Sequence, residues 1–586
     1  MRGNGPVRLI IAFLTSLALL LPAVSSFAVN DEATATYMVP DPNKASDKAI
    51  AVVFDDNQTN LGPVSYLADK DTMYPDWRNN KWEFQDMTFV SCQSVTDPKC
   101  ANTKVFESDG IMSPCLSASD DYCIESIYAR GEDGKKIAGS FSRFFPESSP
   151  LDFKGDPTLG IGNGKTPSVW SIPGVNNSAG KDTYMPIFKV RYDWDKTKGE
   201  TKFSVTQLTA AMFAVDVQQQ SGLSLSYRGV EQGLDAIKHQ GCAVNTDKEC
   251  ALRVSFPANT RIGATLRFGQ PPQYWFYGRL YKPDIRISAR TGTAITLDVE
   301  ANPVTVPIFA GRKPYKDLPA SLQNFYKNGS YNQTGSSGMN GGGADPNLWN
   351  LVHWPRSEDM EVFKNWLPVL NDKAAAMTTE WFFRSAPGNS LGNNAKCYAK
   401  DNQVNGFVTS NATVYTPGPP NYNQSEGTLD YTVAAPHYTA ANNVMRGTYD
   451  LQMRADVARC IYGYSKAPIS AEVQVTSADG SAQIATKNVT ERDGWLLIGA
   501  YNFEFSTPTV KVKISQAGAS SNTNSATGNN SGNNSSNNSG NNSGNGSSAS
   551  GAKQPVPMKN IKCVKGKAFL MIPAKSCPKG YKLVKK

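Results

Sequence analysis

The chain has 586 residues, with 59 lysines and arginines against 51 aspartates and glutamates, and a net charge of +8. This length excludes one ordinary domain, because single hydrophobic cores seldom grow beyond about 250–300 residues. The charge is uneven, since residues 553–586 hold ten lysines and no acid. A slightly acidic body therefore carries a strongly basic tail, an asymmetry typical of interaction tails.

The N-terminus has the layout of a secretory signal peptide. Arg2 and Arg8 precede an apolar run at residues 9–21, Pro22 ends the run, and Ser26 and Ala28 provide small residues for cleavage. The run is short for a bilayer span of about 20 residues. We therefore expect residues 1–28 to be removed, and no later stretch is apolar enough to form a transmembrane segment.

Residues 29–329 are predicted to form one or more β-rich domains. Their apolar, β-branched and aromatic runs alternate with turn residues, which is typical of strands. The predicted strands cover residues 48–54, 185–192, 251–256, 262–268, 274–280, 284–289 and 294–299. Residues 204–219 fit either a helix or two short strands.

Three segments in this region share one plan, in which seven residues separate two cysteines. Each carries a hydroxyl residue and an aspartate before the second cysteine, a pair that starts turns by bonding to nearby backbone amides. The even number of cysteines in an exported chain favours disulfides. The expected bridges are Cys92–Cys100, Cys115–Cys123, Cys242–Cys250, Cys397–Cys460 and Cys563–Cys577. We expect no metal site, because there is no C-x-x-C and the three histidines are far apart in sequence.

A glycine-rich break at residues 330–345 predicts a boundary, followed by a second β-rich domain at 346–515. Its main helix is expected at residues 357–373, with Ser357 as the N-cap and a kink at Pro368. One face of that helix is apolar and holds Met360, Phe363, Trp366, Leu367 and Leu370. Four strand-like runs at residues 471–514 then suggest the end of an immunoglobulin-like sandwich.

Residues 516–557 are rich in asparagine, serine and glycine and have almost nothing apolar to bury, so we expect a disordered linker. The tail at residues 558–586 has a strand-like start, an apolar centre and a closing strand, which predicts a small hairpin that its cysteine pair would hold.

This tail resembles a short C-terminal module of secreted actinobacterial proteins, in which a Ser/Asn/Gly-rich linker precedes an I-x-C-V-K-G-K … C-P-x-G-Y-K pattern. The matching residues are Ile561, Cys563, Val564, Lys565, Gly566, Lys567, Cys577, Pro578, Gly580, Tyr581 and Lys582. The resemblance implies an exported bacterial protein, covers the tail alone and leaves the body unassigned.

Chemical motifs are few. Residues 388–392 match G-x-S-x-G, which makes Ser390, His437 and Asp430 candidate catalytic residues, although no helix pattern follows the serine as a nucleophile elbow requires. Trp275 and Tyr277 belong to an aromatic run that either stacks on sugars or packs in the core.

The fold class expected is mainly β and multi-domain, with disulfide-stapled sandwich-like domains, one notable helix, a linker and a small hairpin. The expected function is a secreted or cell-surface binding or structural protein, carbohydrate-directed and without catalysis, and the alternative is an extracellular hydrolase. No cofactor and no nucleic acid are expected. The expected partner is an anionic cell-envelope polymer or polysaccharide. Its binding residues are the tail lysines Lys559, Lys562, Lys565, Lys567, Lys575, Lys579, Lys582, Lys585 and Lys586.

Overall fold

The structure is a computed structural model that describes residues 49–54, 64–75, 78, 89–219, 242–246, 248–327, 339–341, 348–353, 360–386, 388–399, 403–464, 469–476, 482–483, 486–505, 509–516, 560–565, 568–573 and 582–583. The predicted signal peptide at residues 1–28 lies outside these ranges, as does the predicted linker apart from its first residue. Most of the predicted break at 330–345 also lies outside them. The described strands fall into two units, divided between residues 519 and 520.

The described residues are mostly β, as predicted. In chain order the strands are β1 Ala49–Phe54, β2 Tyr66–Asp69, β3 Val105–Ile111, β4 Cys123–Arg130, β5 Lys136–Ala138, β6 Ser140–Phe144, β7 Ser168–Ser171, β8 Thr183–Asp195, β9 Ser204–Gln219, β10 Cys242–Asn245, β11 Glu249–Val254, β12 Arg261–Phe268, β13 Tyr274–Arg279, β14 Tyr281–Ala289, β15 Ile295–Asn302, β16 Val304–Pro314, β17 Met339–Gly341, β18 Leu348–His353, β19 Ala376–Ser385, β20 Val404–Ser410, β21 Val414–Tyr415, β22 Asn421–Asn423, β23 Thr428–Ala434, β24 Arg446–Arg454, β25 Ile469–Thr476, β26 Ala482–Gln483, β27 Thr486–Arg492, β28 Trp495–Glu504, β29 Thr509–Gln516, β30 Asn560–Lys565, β31 Ala568–Pro573 and β32 Lys582–Leu583. The α-helices are α1 Lys70–Met73, α2 Ala320–Lys327, α3 Met360–Trp366, α4 Ala395–Tyr398 and α5 Ala455–Tyr462.

The largest sheet of the first unit is branched around β19, which pairs with β9, β13 and β16. From β9 the pairing runs through β8 to β3 and β2, and from β13 through β20 and β24 to β28 and β27. Strands before and after residues 330–345 therefore share one sheet. The two β-rich regions predicted from the sequence are joined by backbone hydrogen bonds.

A second sheet of the same unit has the order β14-β15-β12-β4-β5, and a third has the order β21-β23-β29-β25-β26. The four strands expected at residues 471–514 are present as β25, β27, β28 and β29. Strands β27 and β28 belong to the large sheet, whereas β25 and β29 belong to the third sheet. One hydrophobic cluster joins them, because it includes Ile498 of β28 together with Val473 of β25 and Val512 of β29. The end of the body is thus two packed sheets, as predicted.

Residues 204–219 form the single 16-residue strand β9. Alternate side chains of this strand enter two different hydrophobic clusters: Leu208 and Ala210 lie in one, and Ala211 and Phe213 lie in the other. A strand buried on both faces shows no apolar–polar alternation. This double burial is the reason why the sequence pattern fitted both a helix and strands.

The helix predicted at residues 357–373 is shorter than expected, and residues 357–359 lie outside the described ranges. Helix α3 ends at Trp366, and a 3₁₀ turn at Pro368–Leu370 follows it. Pro368 has no N–H and its ring clashes with the preceding turn, so the α-helix stops before it. The predicted apolar face is buried, and the described part of α3 is one residue shorter than α2 and α5.

Four of the five predicted disulfides lie among the described residues: Cys92–Cys100, Cys115–Cys123, Cys242–Cys250 and Cys397–Cys460. Cys577 and the side chain of Cys563 lie outside them.

The first two stapled loops are closed in the same way. Asp97 accepts a hydrogen bond from the N–H of Gln93 at 2.8 Å, and Asp120 accepts one from the N–H of Leu116 at 2.7 Å. Each aspartate thus bonds back to the residue that follows the first cysteine. This confirms the turn chemistry predicted from the repeated spacing.

In the second unit, β30 pairs with β31 on one side and with β32 on the other, which makes a three-stranded antiparallel sheet. The predicted strand-like start, apolar centre and closing strand all appear in it.

Candidate functional site

An open cleft of about 1040 Å³ lies in the first unit, where six segments meet. Its lining comes from the start of β9, the loop before β13, the β14–β15 hairpin, the start of β20, and the end of β24 with helix α5 and the β27–β28 turn. Because the segments come from the large sheet and the second sheet of the unit, the site depends on contacts between residues far apart in sequence. Ligand sites are typically concave places of this kind, with a few placed polar groups.

Tyr274 contributes one half-buried ring to the cleft. Its φ of 35° is rare for a bulky residue, and the pairing between β13 and β20 shifts register at this point. A bulge of this type turns a side chain away from the face that the strand alternation would give it. As a result Tyr274 lines the cleft, while Trp275 is buried against Gly406.

Trp495 contributes a second half-buried ring, at the start of β28. It follows the two-residue turn Asp493–Gly494, where φ is 53° and 77°. Two successive positive φ values define the turn that best matches the twist of a hairpin, and Asp-Gly suits it. Within the described ranges no group accepts a hydrogen bond from the indole N–H, so this donor is available to a ligand.

The arginines of the cleft are neutralised by acids of the protein. Arg454 forms a two-pronged ion pair with Asp456, at 2.9 and 2.7 Å, and donates to the amide oxygen of Gln403 at 2.5 Å. Arg459 pairs with Glu491 at 2.8 Å. Helix α5, which carries both Asp456 and Arg459, is tied to α4 by the Cys397–Cys460 bridge. The cleft thus offers fixed polar groups with little net charge.

Unengaged polar groups complete the lining. The side chains of Gln273, Ser204 and Lys202 form no hydrogen bond or ion pair with another described residue. Gln270 is different, because its amide nitrogen donates to the carbonyl of Phe203 at 3.0 Å. The cleft therefore presents one free amide, one free hydroxyl and one free ammonium group beside two rings.

This arrangement suits a ligand with flat apolar faces and many hydroxyl groups. Half-exposed aromatic rings stack on such faces, and amides both donate and accept hydrogen bonds. Hydrolysis of a glycosidic bond needs two acids flanking that bond, one of them protonated. Asp456 is occupied by Arg454, and Asp493 is largely exposed with Arg492 at 3.7 Å. These two acids of the cleft thus have arginines of the protein as neighbours.

The structure does not bring the predicted catalytic residues Ser390, His437 and Asp430 together, because each has other neighbours. Ser390 lies in a 3₁₀ segment, Gly388–Asn394, and packs against Gly418. Asp430 accepts from Thr428 at 2.6 Å and from Asn423 at 3.2 Å. The carboxylate that holds His437 belongs to Asp372.

The pair of His437 and Asp372 is a distinct feature of the body. Asp372 bonds to the imidazole Nδ1 and accepts from the backbone N–H of His437 at 2.9 Å. Asp372 has a φ of 56° and follows Asn371 with a φ of 57°, so two adjacent non-glycine residues are in the left-handed region. About a quarter of each side chain is exposed. None of these residues lines the cleft.

The rings predicted to bind sugars are core residues. Trp275 is 1% exposed and Tyr277 is 2% exposed, and both belong to the hydrophobic cluster between the sheets. The structure agrees with the alternative in which this run packs in the core, whereas Tyr274 lines the cleft. The bulge at Tyr274 cannot be read from the run itself, so both alternatives stayed open in the sequence. Trp495 was missed as well, although the Asp-Gly turn before it was a visible signal.

The lysines predicted to bind polymers stay untested. Lys562, Lys565 and Lys582 lie on strands of the second unit whose side chains are not described, and the other six lie outside the described residues.

Within the described ranges, no three residues among the histidines, cysteines and acids are grouped so that they could hold a metal ion. Every helix in these ranges is too short or too polar to cross a membrane. No protein-family model, no curated protein and no solved structure matches this chain.

Proposed function

We propose that this chain is an exported, non-catalytic binding protein whose body holds a carbohydrate in the cleft. The observation that carries the proposal is the combination of two half-buried rings, Tyr274 and Trp495, with the free amide of Gln273 in an open cleft. The neutralised arginines favour a neutral sugar over a polyanion. Four disulfides support an oxidising compartment, and the signal-peptide pattern and the tail resemblance support export.

The tail has its own part in the proposal. Ten lysines without an acid suit diffuse contact with an anionic envelope polymer, because lysine is a hydrated point charge. Such contact weakens with salt, since exposed charges are screened beyond about 10 Å at 0.1 M. The test compares how much of the full chain and how much of a chain ending at Gly551 stays bound to cell envelopes, at low and at high salt. Equal retention, or retention indifferent to salt, would remove this role.

The cleft is tested by titrating the full chain with cellohexaose and chitohexaose and by screening it on a glycan array. Trp495→Ala removes a stacking ring, and an aromatic platform of this kind contributes about 1–2 kcal/mol, so affinity should fall about tenfold. Gln273→Ala should also weaken binding. Phe141→Ala removes an exposed ring that does not line the cleft and serves as the matched control. Unchanged affinity in the Trp495 variant would exclude the cleft.

An extracellular hydrolase is the second candidate, and one observation favours it. A carboxylate that bonds to Nδ1 of a histidine fixes the ring and leaves Nε2 to act as a base. The half-buried pair of Asp372 and His437 has this form. His437→Ala should then abolish any hydrolysis of esters or glycans by the wild-type chain, whereas the binding proposal expects glycan affinity to be unchanged.

A further inference from the structure

The two walls of the cleft meet at a joint beside it. Strand β14 lines the cleft with Ile287 and Ala289, near its C-terminal end. Its earlier residues contact β24, the strand that ends in the opposite wall. The N–H of Lys282 donates to Asp450 at 3.1 Å, and the amide of Gln452 donates to the carbonyl of Ile285 at 2.9 Å. The joint therefore connects two strands that both line the cleft.

Asp450 lies at the centre of the joint and is buried. Its carboxyl group accepts from the hydroxyl of Tyr501 at 2.5 Å and from the N–H of Lys282. Within the described ranges no cation forms a salt bridge with it. Thr448 and Gln452 share its face of β24, because side chains alternate along a strand, and each has a buried oxygen without a hydrogen-bond partner in the described part of the chain.

Charged and titratable groups surround the joint on several elements. The ammonium group of Lys282 lies 4.9 Å from the ring of Tyr281 and 5.2 Å from that of Tyr501. Arg261 of β12 donates to the carbonyl of Lys282 at 3.0 Å.

Two further groups complete this environment. Arg492 of the β27–β28 hairpin pairs with Asp284 of β14 at 3.1 Å across the same contact. The hydroxyl of Tyr449 is buried without a partner in the described ranges, and burial raises its pKa well above the ordinary value. None of these groups places a cation against the carboxyl of Asp450.

We propose that this joint is acid-strengthened, which means that protonation of Asp450 stabilises it. The neutral carboxyl group of Asp450 holds the two walls together, whereas the ionised group loosens them and weakens ligand binding. The effect on the ligand rests on the proposed function, whereas the loosening of the joint does not. Burial outweighs the hydroxyl of Tyr501, the N–H of Lys282 and the charges of Lys282 and Arg261, and it raises the pKa of Asp450 to about 7.

The direction follows from linkage. An aspartate freed from the joint has a pKa of about 4, so the open joint loses its proton before the closed joint does. The closed joint is therefore strongest below about pH 4 and weakens up to about pH 7, where its own proton leaves. Between pH 5 and pH 6.5 the opening equilibrium should rise about tenfold per pH unit. Above pH 7 it should change little.

The experiment measures hydrogen exchange of the backbone at residues 281–289 in the full chain at pH 5, 6 and 7, corrected for the intrinsic dependence on pH. Protection in the wild type should fall more than tenfold over this range. Asp450→Asn stays neutral and should abolish the dependence, and Asp450→Ser replaces it if the amide variant does not fold. Glu504→Gln removes an exposed carboxylate on β28 and should keep the dependence.

Titration with cellohexaose and chitohexaose at pH 5 and pH 7 completes the test. The wild type should bind more tightly at pH 5, and Asp450→Asn should bind equally at both values. Exchange that is independent of pH in the wild type, or a dependence retained by Asp450→Asn, would overturn the proposal. If neither glycan binds while the exchange result holds, the proposed function is lost and the acid-strengthened joint stands.

Discussion

Asp109 on β3 and Asp450 on β24 are 5% and 6% exposed, yet their carboxyl groups are held in opposite states. Burial raises the pKa of Asp109, but Lys189 at 3.1 Å and Arg191 at 2.9 Å outweigh it and hold the pKa well below its usual range. Burial raises the pKa of Asp450 to about 7, because no cation forms a salt bridge with it in the described ranges and the charges of Lys282 and Arg261 offset the burial only in part. Burial alone therefore does not decide the charge of an aspartate; its neighbours do.

The neighbours are set by strand register. Asp109 lies opposite Arg191 on β8, and Lys189 occupies the same face two residues away. Asp450 lies opposite Gly499 on β28 and Thr409 on β20, and neither supplies a charge. Directly opposed and diagonal side chains are the ones that interact across a sheet. The sheet thus holds Asp109 in its ionised form, whereas the raised pKa of Asp450 keeps its carboxyl group protonated up to about pH 7.

The largest effect is expected from Arg191→Met, which removes one of the two cations that hold Asp109. Breaking a buried ion pair typically costs about 3–5 kcal/mol, and we expect about 3 kcal/mol here, because Lys189 still pairs with Asp109 and the side chain of Arg191 is 38% exposed. The measurement is denaturant unfolding at pH 7. Lys198→Met is the control, since the side chain of Lys198 is 70% exposed in its i,i+3 pair with Asp195 and an exposed cation of this kind contributes less than about 1 kcal/mol. Equal losses in both variants would contradict the role of Arg191.

The second prediction concerns the pH profile of Asp450→Asn. Because the folded-state pKa of Asp450 is raised, its contribution to stability is greatest below the unfolded pKa and is lost as the pH rises to about 7. The free energy of unfolding of the wild type should fall by about 3 kcal/mol relative to the variant between pH 4.5 and pH 7.5. Asp109 does not disturb this window, since its lowered pKa matters only in stronger acid. A constant difference between the two proteins would refute the raised pKa.

The third prediction separates a charged acceptor from a neutral one. Tyr501→Phe removes a donor to Asp450, and Tyr184→Phe removes a donor to the carbonyl of Val175 at 2.9 Å. A hydrogen bond to a neutral group contributes about 1 kcal/mol, and one to a charged group about 1.5–3 kcal/mol. The Tyr501 variant should lose more stability at pH 7.5 than at pH 5, whereas the Tyr184 variant should lose the same at both. A uniform loss in the Tyr501 variant would mean that Asp450 does not ionise in this range.

Much of the fold could be predicted because its signals are local. The strands and the stapled loops depend on residues close in sequence, such as Asp97 and Asp120 three residues before a cysteine. The failures were non-local. Strand β9 is buried on two faces, and β19, which follows the predicted break, pairs with β9, β13 and β16, which precede it. Pro368 was identified as a kink but ends the α-helix.

The site could be predicted less well, because it depends on register and on contacts between distant strands. The sequence left open whether Trp275 and Tyr277 bind a ligand or pack in the core, and nothing in it indicates the bulge at Tyr274. With 51 acids in the chain, nothing in the sequence distinguishes Asp450 from the others. What distinguishes it is the absence of a cation opposite it, and this depends on residues 41 and 49 positions away.

The smallest effect is expected from Lys282, the lysine near Asp450, which we compare with Lys189, the lysine that pairs with Asp109. The ammonium group of Lys282 is exposed and only slightly lowers the pKa of Asp450, whereas its backbone N–H makes the hydrogen bond. Lys282→Met should keep that bond and change stability at pH 5 by less than about 0.5 kcal/mol. Lys282→Gly also removes the charge but relieves a φ of 49°, so it should be more stable than the methionine variant by about 1 kcal/mol. The measurement is denaturant unfolding of both variants and of Lys189→Met, at pH 5 and pH 7.5. A loss in Lys282→Met as large as that in Lys189→Met would show that Asp450 is held by an ion pair after all.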